Sequence, residues 1–243
     1  MKNKYFLFSF FFLFLWQVSL SQQTILSDSN LPIMVISTDI DPDTNAPTEI
    51  PDEPKVLATM QLIYRPDGTR NYLTDITNPS FLNYNGRIGI ELRGSSSQAL
   101  DKKPYGFTTL LEDDDSNNNV SLLGMPSEND WILNSLAFDP SMVRDYLSYT
   151  LASNMGNYAP RVQYIEVIVN DDYKGVYFLT EKIKRDSDRV NLKKIADDED
   201  SFPEVTGGYI IKADKTTGGD EIAWTMPNYG GWDTNFLHHY PKT

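Results

Sequence analysis

Short apolar runs separated by clusters of Pro, Gly, Asp and Asn recur along this chain, a pattern of many short strands with turns between them. Leu31–Ser37 (LPIMVIS) and Val56–Tyr64 (VLATMQLIY) predict the first two strands. Arg65-Pro66-Asp67-Gly68 is a turn signal, Asn71–Asn85 is loop-like, and Arg87–Leu92 (RIGIEL) predicts a third strand. Gly106–Leu111 follows as the strand returning from a small-residue loop. Ser121–Met125 and Asp130–Leu133 then bring apolar residues back to the core around the acidic stretch Glu112–Asn119. The strongest pattern is Pro160–Leu192. Ile165, Val167 and Val169 alternate with Tyr164, Glu166 and Ile168, Asn170 to Asp172 supply turn chemistry, and Val176–Thr180 runs back. Gly207–Asp214 (GGYIIKAD) predicts one more strand.

One segment breaks the period-2 rule. Asp139-Pro140 reads as an N-cap followed by Pro at the first helical position, and Gly156 as a terminator, so a helix is expected over about 140–155. Val143, Leu147, Leu151 and Met155 fall on one face of it, which predicts a buried apolar stripe. The expected class is therefore α+β, with a β-rich N-terminal part, antiparallel hairpins and one clear helix.

Composition changes the picture in two places. The 243 residues are 40% hydrophobic and 23% charged, ordinary for a globular protein, but the net charge is −13. Nucleic-acid binding rests on clustered Lys and Arg, so no nucleic-acid partner is expected. There is no cysteine, which excludes disulfides, a lipoprotein anchor and zinc–thiolate sites. At the N-terminus, Lys2 and Lys4 precede the apolar run Tyr5–Trp16, and Ser19-Leu20-Ser21 offers small residues for cleavage. This predicts a signal peptide over 1–21, an uncleaved anchor being the alternative, and hence a secreted, periplasmic or cell-surface protein without a membrane span after cleavage.

Candidate chemistry lies in polar loops. Arg93-Gly94-Ser95-Ser96-Ser97-Gln98 leaves one strand and Lys102-Lys103 precedes the next, an arrangement that suits either a bound anion or an exposed hairpin loop. Glu181, Lys182, Lys184, Arg185, Asp186, Asp188 and Arg189 crowd the end of the long hairpin, which reads either as a solvated loop or as a scaffold holding a polar site. Arg144 sits on the first turn of the helix, within potential reach of a carboxylate such as Glu181. Asp39, Asp41 and Asp43 resemble the opening of a calcium loop, but Thr44 and Ile50 stand where Gly and Glu are needed, so an acidic loop is expected. His238 and His239, being adjacent, make no metal pair by themselves.

Five separated blocks agree with one family. RGSSSQALDKKPYGF, SLLGMP followed by DWIL, SMVRDYL, VIVNDDYKGVYFLTEKIKRDSDRVNL and GGYIIKAD resemble, in order and spacing, the successive blocks of the CotH kinase family. The resemblance spans about 85–243 as a CotH kinase-like domain, with 22–84 as a preceding β-rich segment. It implies a divergent protein-kinase-like fold and ATP- and Mg2+-dependent phosphorylation of Ser/Thr hydroxyls on a secreted or surface protein. On that template Arg93, Ser95, Ser96 and Ser97 would cover the phosphates. Lys103, rather than Lys102, would neutralise them, Glu181 and Lys182 would lie at the adenine-binding connection, and Arg144 would brace the site. Two departures stand out. Asp145 occupies a position where the family usually has Asn, and the metal-binding and catalytic acids of the family are expected beyond Thr243, so that the chain reads as an incomplete, nucleotide-side portion with little phosphotransferase activity of its own. The competing reading is a non-catalytic adhesion or carbohydrate- or protein-binding module on the same fold; a purely structural scaffold is a third.

Overall fold

A computed structural model describes residues 26–196, 198–216, 220–227 and 233–241. The expected signal at 1–21 lies outside them. Seven strands form a closed barrel: β1 (Ile33–Thr38), β2 (Val56–Ile63), β3 (Leu82–Leu92), β4 (Tyr105–Leu110), β5 (Asp130–Asn134), β6 (Val162–Val169) and β7 (Asp172–Glu181). Their order is β6–β7–β5–β4–β3–β2–β1, all antiparallel until β1 closes the ring by pairing parallel to β6, with Glu166 opposite Ile33 and Val169 opposite Ile36. The expected boundary at 84/85 falls within β3, and the strands on either side of it share this barrel.

Alternation decides what fills the barrel. Ala58, Met60 and Leu62 of β2 point inward, as do Ile165, Val167 and Val169 of β6, and they meet Ile88, Ile90, Phe107, Trp131, Leu133, Tyr177 and Leu179 in one buried cluster. Removing a large aliphatic side chain of this kind from water contributes about 1.5–3 kcal/mol. The opposite face of β1, β2 and β6 carries Ile33, Ile63 and Ile168, which form a smaller cluster with Leu26, Leu73, Ile76 and Leu82. That cover replaces the expected loop over 71–85, which contains a short ladder and 3-10 turns and, from Leu82, the first four residues of β3. Arg65 stabilises it by pairing with Asp75 at 2.8 Å.

The β6–β7 hairpin turns at Asn170 and Asp171, whose φ angles of 50° and 63° are those of a tight primed turn that Asn and Asp tolerate. Asp39, in the acidic loop, pairs with Arg87. Asp41 accepts the backbone N–H groups of Asp43 and Thr44 at 2.8 and 3.0 Å, which closes that loop on itself.

The helix differs from expectation at its start and on its surface. α1 runs Arg144–Asn154, four residues later than the Asp-Pro signal implies. Val143, not Asp139, stands at the N-cap; the Asp139 carboxylate instead accepts the N–H groups of Val143 and Arg144 at 3.0 and 2.9 Å across an intervening turn in which Met142 adopts φ 55°. Gly156, at φ 83°, ends it as the sequence implies. The apolar stripe is not buried: Leu147, Leu151 and Met155 are 60–70% exposed. Helical spacing identifies a shared face but not whether this chain covers it.

Beyond the barrel, β8 (Ile210–Ala213), β9 (Ile222–Met226) and β10 (Thr234–Tyr240) form a small antiparallel sheet ordered β8–β10–β9. It contacts the segment after β7 where His239 lies 3.1 Å from the Ile183 carbonyl. Among the described residues no helix is long and apolar enough to cross a membrane.

Candidate functional site

The loop joining β3 to β4 is built on one glycine. Gly94 has φ 90°, and a β-carbon there would lie 2.1 Å from the Ser97 hydroxyl oxygen. Residues 96–99 then make a 3-10 turn, with Gln98 N–H bonded to the Ser95 carbonyl. Lys103 draws the loop back onto its own strand by donating to the Gln98 carbonyl at 2.6 Å. Lys102 points elsewhere, over the Tyr177 ring at 4.6 Å.

A cleft of about 490 Å3 opens beside this loop, between Arg93, Gly94 and Ser97 on one wall and the end of β5 and start of α1 on the other. The second wall carries Asn134, Ser135, Phe138, Asp139 and Arg144. Arg144 is 73% exposed and stands 3.6 Å from Asp139, which is itself buried. Hydrogen bonds from Ser141, and then from the Arg144 N–H, hold the Asp139 carboxyl below its usual value. It therefore remains an anion that fixes the first turn of α1 and the base of Arg144. Asp145 accepts a hydrogen bond from Asn134 at 3.2 Å, which ties the helix to β5.

On the far side of Arg93 a second depression is lined by Asp52, Glu53, Glu91, Ser95, Ser96, Asp214 and Lys215. Crowding by the surrounding chain pulls the Arg93 guanidinium below its usual value, while neighbouring Tyr149, Glu91 and Asp214 act in the opposite sense. An arginine stays charged under either influence at neutral pH. Among the described residues no three His, Asp or Glu side chains are arranged to hold a metal ion.

The expected site residues thus divide. Arg93, Ser97 and Arg144 line one cleft, Ser95 and Ser96 line its neighbour across Arg93, and Lys103 shapes the loop between them. Glu181 is elsewhere: its side chain is fully buried and pairs with Arg161 at 2.7 Å, not with Arg144. Lys182 is exposed on the outer face of the barrel, where its charge acts on Glu91 and Asp130.

The dense charge at the hairpin end is likewise only partly solvated. Arg189 is buried against the Trp131 ring and pairs with Glu128 at 3.0 Å, and Lys184 bridges Glu128 and Asp130 at 2.7 and 3.1 Å. Burial raises the Asp130 carboxyl, but the charges of Lys182 and Lys184 outweigh it and leave the group lowered. Lys55 extends the strip by donating to Thr108 at 2.6 Å, with Thr108 donating to Asp130 at 3.0 Å.

Sequence reasoning missed Asn134, Ser135 and Phe138 in the cleft. The available signal was a polar pair immediately following the apolar run Trp131–Leu133, next to the Asp-Pro cap. No curated protein matches the chain. A family model described as CotH kinase protein matches residues 90–236, more than half of the chain, from the end of β3 through the cleft and α1 into the small sheet. On that match the chain belongs to the CotH kinase family.

Proposed function

We propose that this chain is an exported kinase-like protein of divergent protein-kinase-like fold, which takes ATP in the cleft between the 93–98 loop and the start of α1. Its reaction would transfer the terminal phosphoryl group to a Ser or Thr hydroxyl of a secreted or surface protein. The family membership supports a kinase-like role, and one observation supports the cleft: Arg93 and Arg144, distant in sequence, line the same cavity.

Two arginines on opposite walls suit a polyphosphate, because each offers a planar fork of N–H donors to phosphate oxygens. The residues present fit that group. Gly94 lets the loop fold so that the Ser97 hydroxyl takes the position a side chain there would need, and Ser97 with Gly94 forms part of the cleft wall. Phe138, 67% exposed at the edge of the cleft, offers a ring face for a base. A volume of about 490 Å3 lies within the range of small-molecule and cofactor pockets. ATP supplies the phosphoryl group, and this chain's own residues bind and orient it. Arg93 and Arg144 neutralise phosphate charge, Asp139 fixes Arg144, and Lys103 keeps the loop closed. Phosphoryl transfer asks mainly for such positioning and charge stabilisation. Mg2+ is expected to accompany the nucleotide as its own counter-ion; the described residues form no metal-holding group, so no step is assigned to it.

Thermal unfolding with and without ATP and Mg2+ tests this directly, since a ligand of the folded form raises Tm by mass action. A rise that disappears in Arg93→Ala and Arg144→Ala supports the cleft, and indifference of the wild-type chain to ATP overturns it. The exposed face of α1 at Leu147, Leu151 and Met155 favours a second reading, a surface-binding module on this fold. That reading expects no response to nucleotide.

A further inference from the structure

The geometry points to a docking site for an extended peptide on β9, the outer strand of the small sheet. This deepens the function proposed above by assigning how a segment of an acceptor protein is held, and it rests on that reading only for what happens to the peptide.

β9 pairs antiparallel with β10 on one side, and among the described residues no strand pairs with its other side. An unpaired strand edge presents a regular row of N–H and C=O groups, the complement of another extended chain. Protein edges of this kind are usually blunted by Lys, Pro or a covering segment. β9 reads IAWTM, without charge or Pro; a bulge lies between Ile222 and Trp224, after which Trp224, Thr225 and Met226 pair in regular register with β10, and Ile222, Trp224 and Met226 are each about half exposed. Trp224 stacks on Phe236 of β10, with ring centroids 4.8 Å apart and planes within 11°. Trp224 therefore meets a partner as a braced aromatic surface, with Met226 two residues further along the same face.

Two observations select the occupant. The edge is five residues long with three large apolar side chains, far short of the roughly 800 Å2 per partner of a stable protein–protein interface. It therefore suits a transient peptide better than a second copy of the chain. Exposed Glu221 and Asp233 bracket β9, so the segment that fits carries apolar residues at alternate positions and no carboxylates near its ends.

Position links the strand to the cleft. β8 and β9 both run antiparallel to β10, so Ala213 and Met226 lie at the same end of the sheet. Asp214 and Lys215, which follow β8 directly, line the depression beside Arg93. At about 4.8 Å between strands, a peptide added to β9 lies roughly 15 Å from β8. A few residues extending past Met226 then reach toward the depression beside Arg93.

The probe is an octapeptide of alternating Thr and Val ending in Ser, amidated at its C-terminus and labelled with rhodamine through a short Gly spacer, titrated against the full chain by fluorescence anisotropy. The expected result is saturable binding, weakened at least tenfold when the peptide backbone is N-methylated and in Trp224→Lys. Met226→Lys should act likewise, and each variant should keep the wild-type far-UV circular dichroism. Equal binding of the N-methylated peptide, absence of binding, or dimerisation of the free chain that Trp224→Lys abolishes overturns the proposal. Peptide binding that persists in a chain indifferent to ATP supports the docking site while removing the nucleotide reading.

Discussion

A side chain at Gly94 and the hydroxyl of Ser97 cannot share the space they occupy: a β-carbon there would sit 2.1 Å from the Ser97 oxygen, at a φ of 90°. Gly94→Ala is therefore expected to destabilise the 93–98 loop by about 1–3 kcal/mol through backbone strain alone and to abolish the ATP-dependent rise in Tm. Adding Ser97→Ala removes the contact but not the strain, so the double variant should recover only part of the loss. Differential scanning fluorimetry with and without ATP and Mg2+ distinguishes these outcomes.

Arg144 is largely solvated, so its loss should register in binding and not in folding. Arg144→Ala is expected to weaken ATP by roughly tenfold, about 1.4 kcal/mol, with unfolding free energy within about 0.5 kcal/mol of wild type. Isothermal titration calorimetry beside urea unfolding checks both halves of that statement.

Glu181 and Arg161 should behave in the opposite way. The Glu181 side chain is fully buried, with the Arg161 guanidinium at 2.7 Å and the Arg161 N–H at 2.9 Å. Arg161→Ala leaves that carboxylate without its counter-charge and is expected to cost about 3–5 kcal/mol. Unfolding in urea should show the loss, and ATP affinity of the folded fraction should be unchanged.

Acid should expose the Arg65–Asp75 pair. The hydrogen bond from Arg65 holds the Asp75 carboxyl below its usual 3.8, against the opposing effect of burial. The folded chain thus releases this proton more readily than the unfolded one. Its stabilising effect is complete above 3.8 and is lost as pH falls through the folded value. Asp75→Asn should consequently be less stable than wild type at pH 7, with the difference shrinking below about pH 4. Urea midpoints at pH 7, 4 and 3 measure it.

On the helix, Leu151→Gln should change stability by less than about 0.5 kcal/mol, because Leu151 is 62% exposed. Leu179→Ala, inside the barrel, should cost about 2–5 kcal/mol. Similar losses for the two would mean that the α1 face is covered.

Strand alternation carried most of the fold into the sequence. Met34 and Ile36, Ala58 to Leu62 and Ile165 to Val169 announce their inward faces locally, and the Asn170-Asp171 turn fixes one pairing. The closure of β1 on β6 was not legible, because parallel pairing between distant strands leaves no local pattern. For the same reason the loop-like reading of 71–85 failed: Leu73, Ile76 and Leu82 show their purpose only once Ile33, Ile63 and Ile168 are known to lie beneath them. In the site, Gly94 and the serines were visible as a small-residue loop, and Arg144 as a cation on a first turn. That Arg144 faces Arg93 and not Glu181 depends on where Asp139 anchors α1, a three-dimensional fact.

The parallel seam between β1 and β6 also dictates an order of events. As the chain folds, Ile33–Thr38 can acquire β2 as a neighbour early, but its other side stays open until Val162–Val169 docks. Closing so long a loop makes the last step a non-local one, slow relative to hairpin formation. A fragment ending before residue 162 would carry an unzipped sheet, so a chaperone should bind that fragment and release the chain that includes the β6–β7 hairpin.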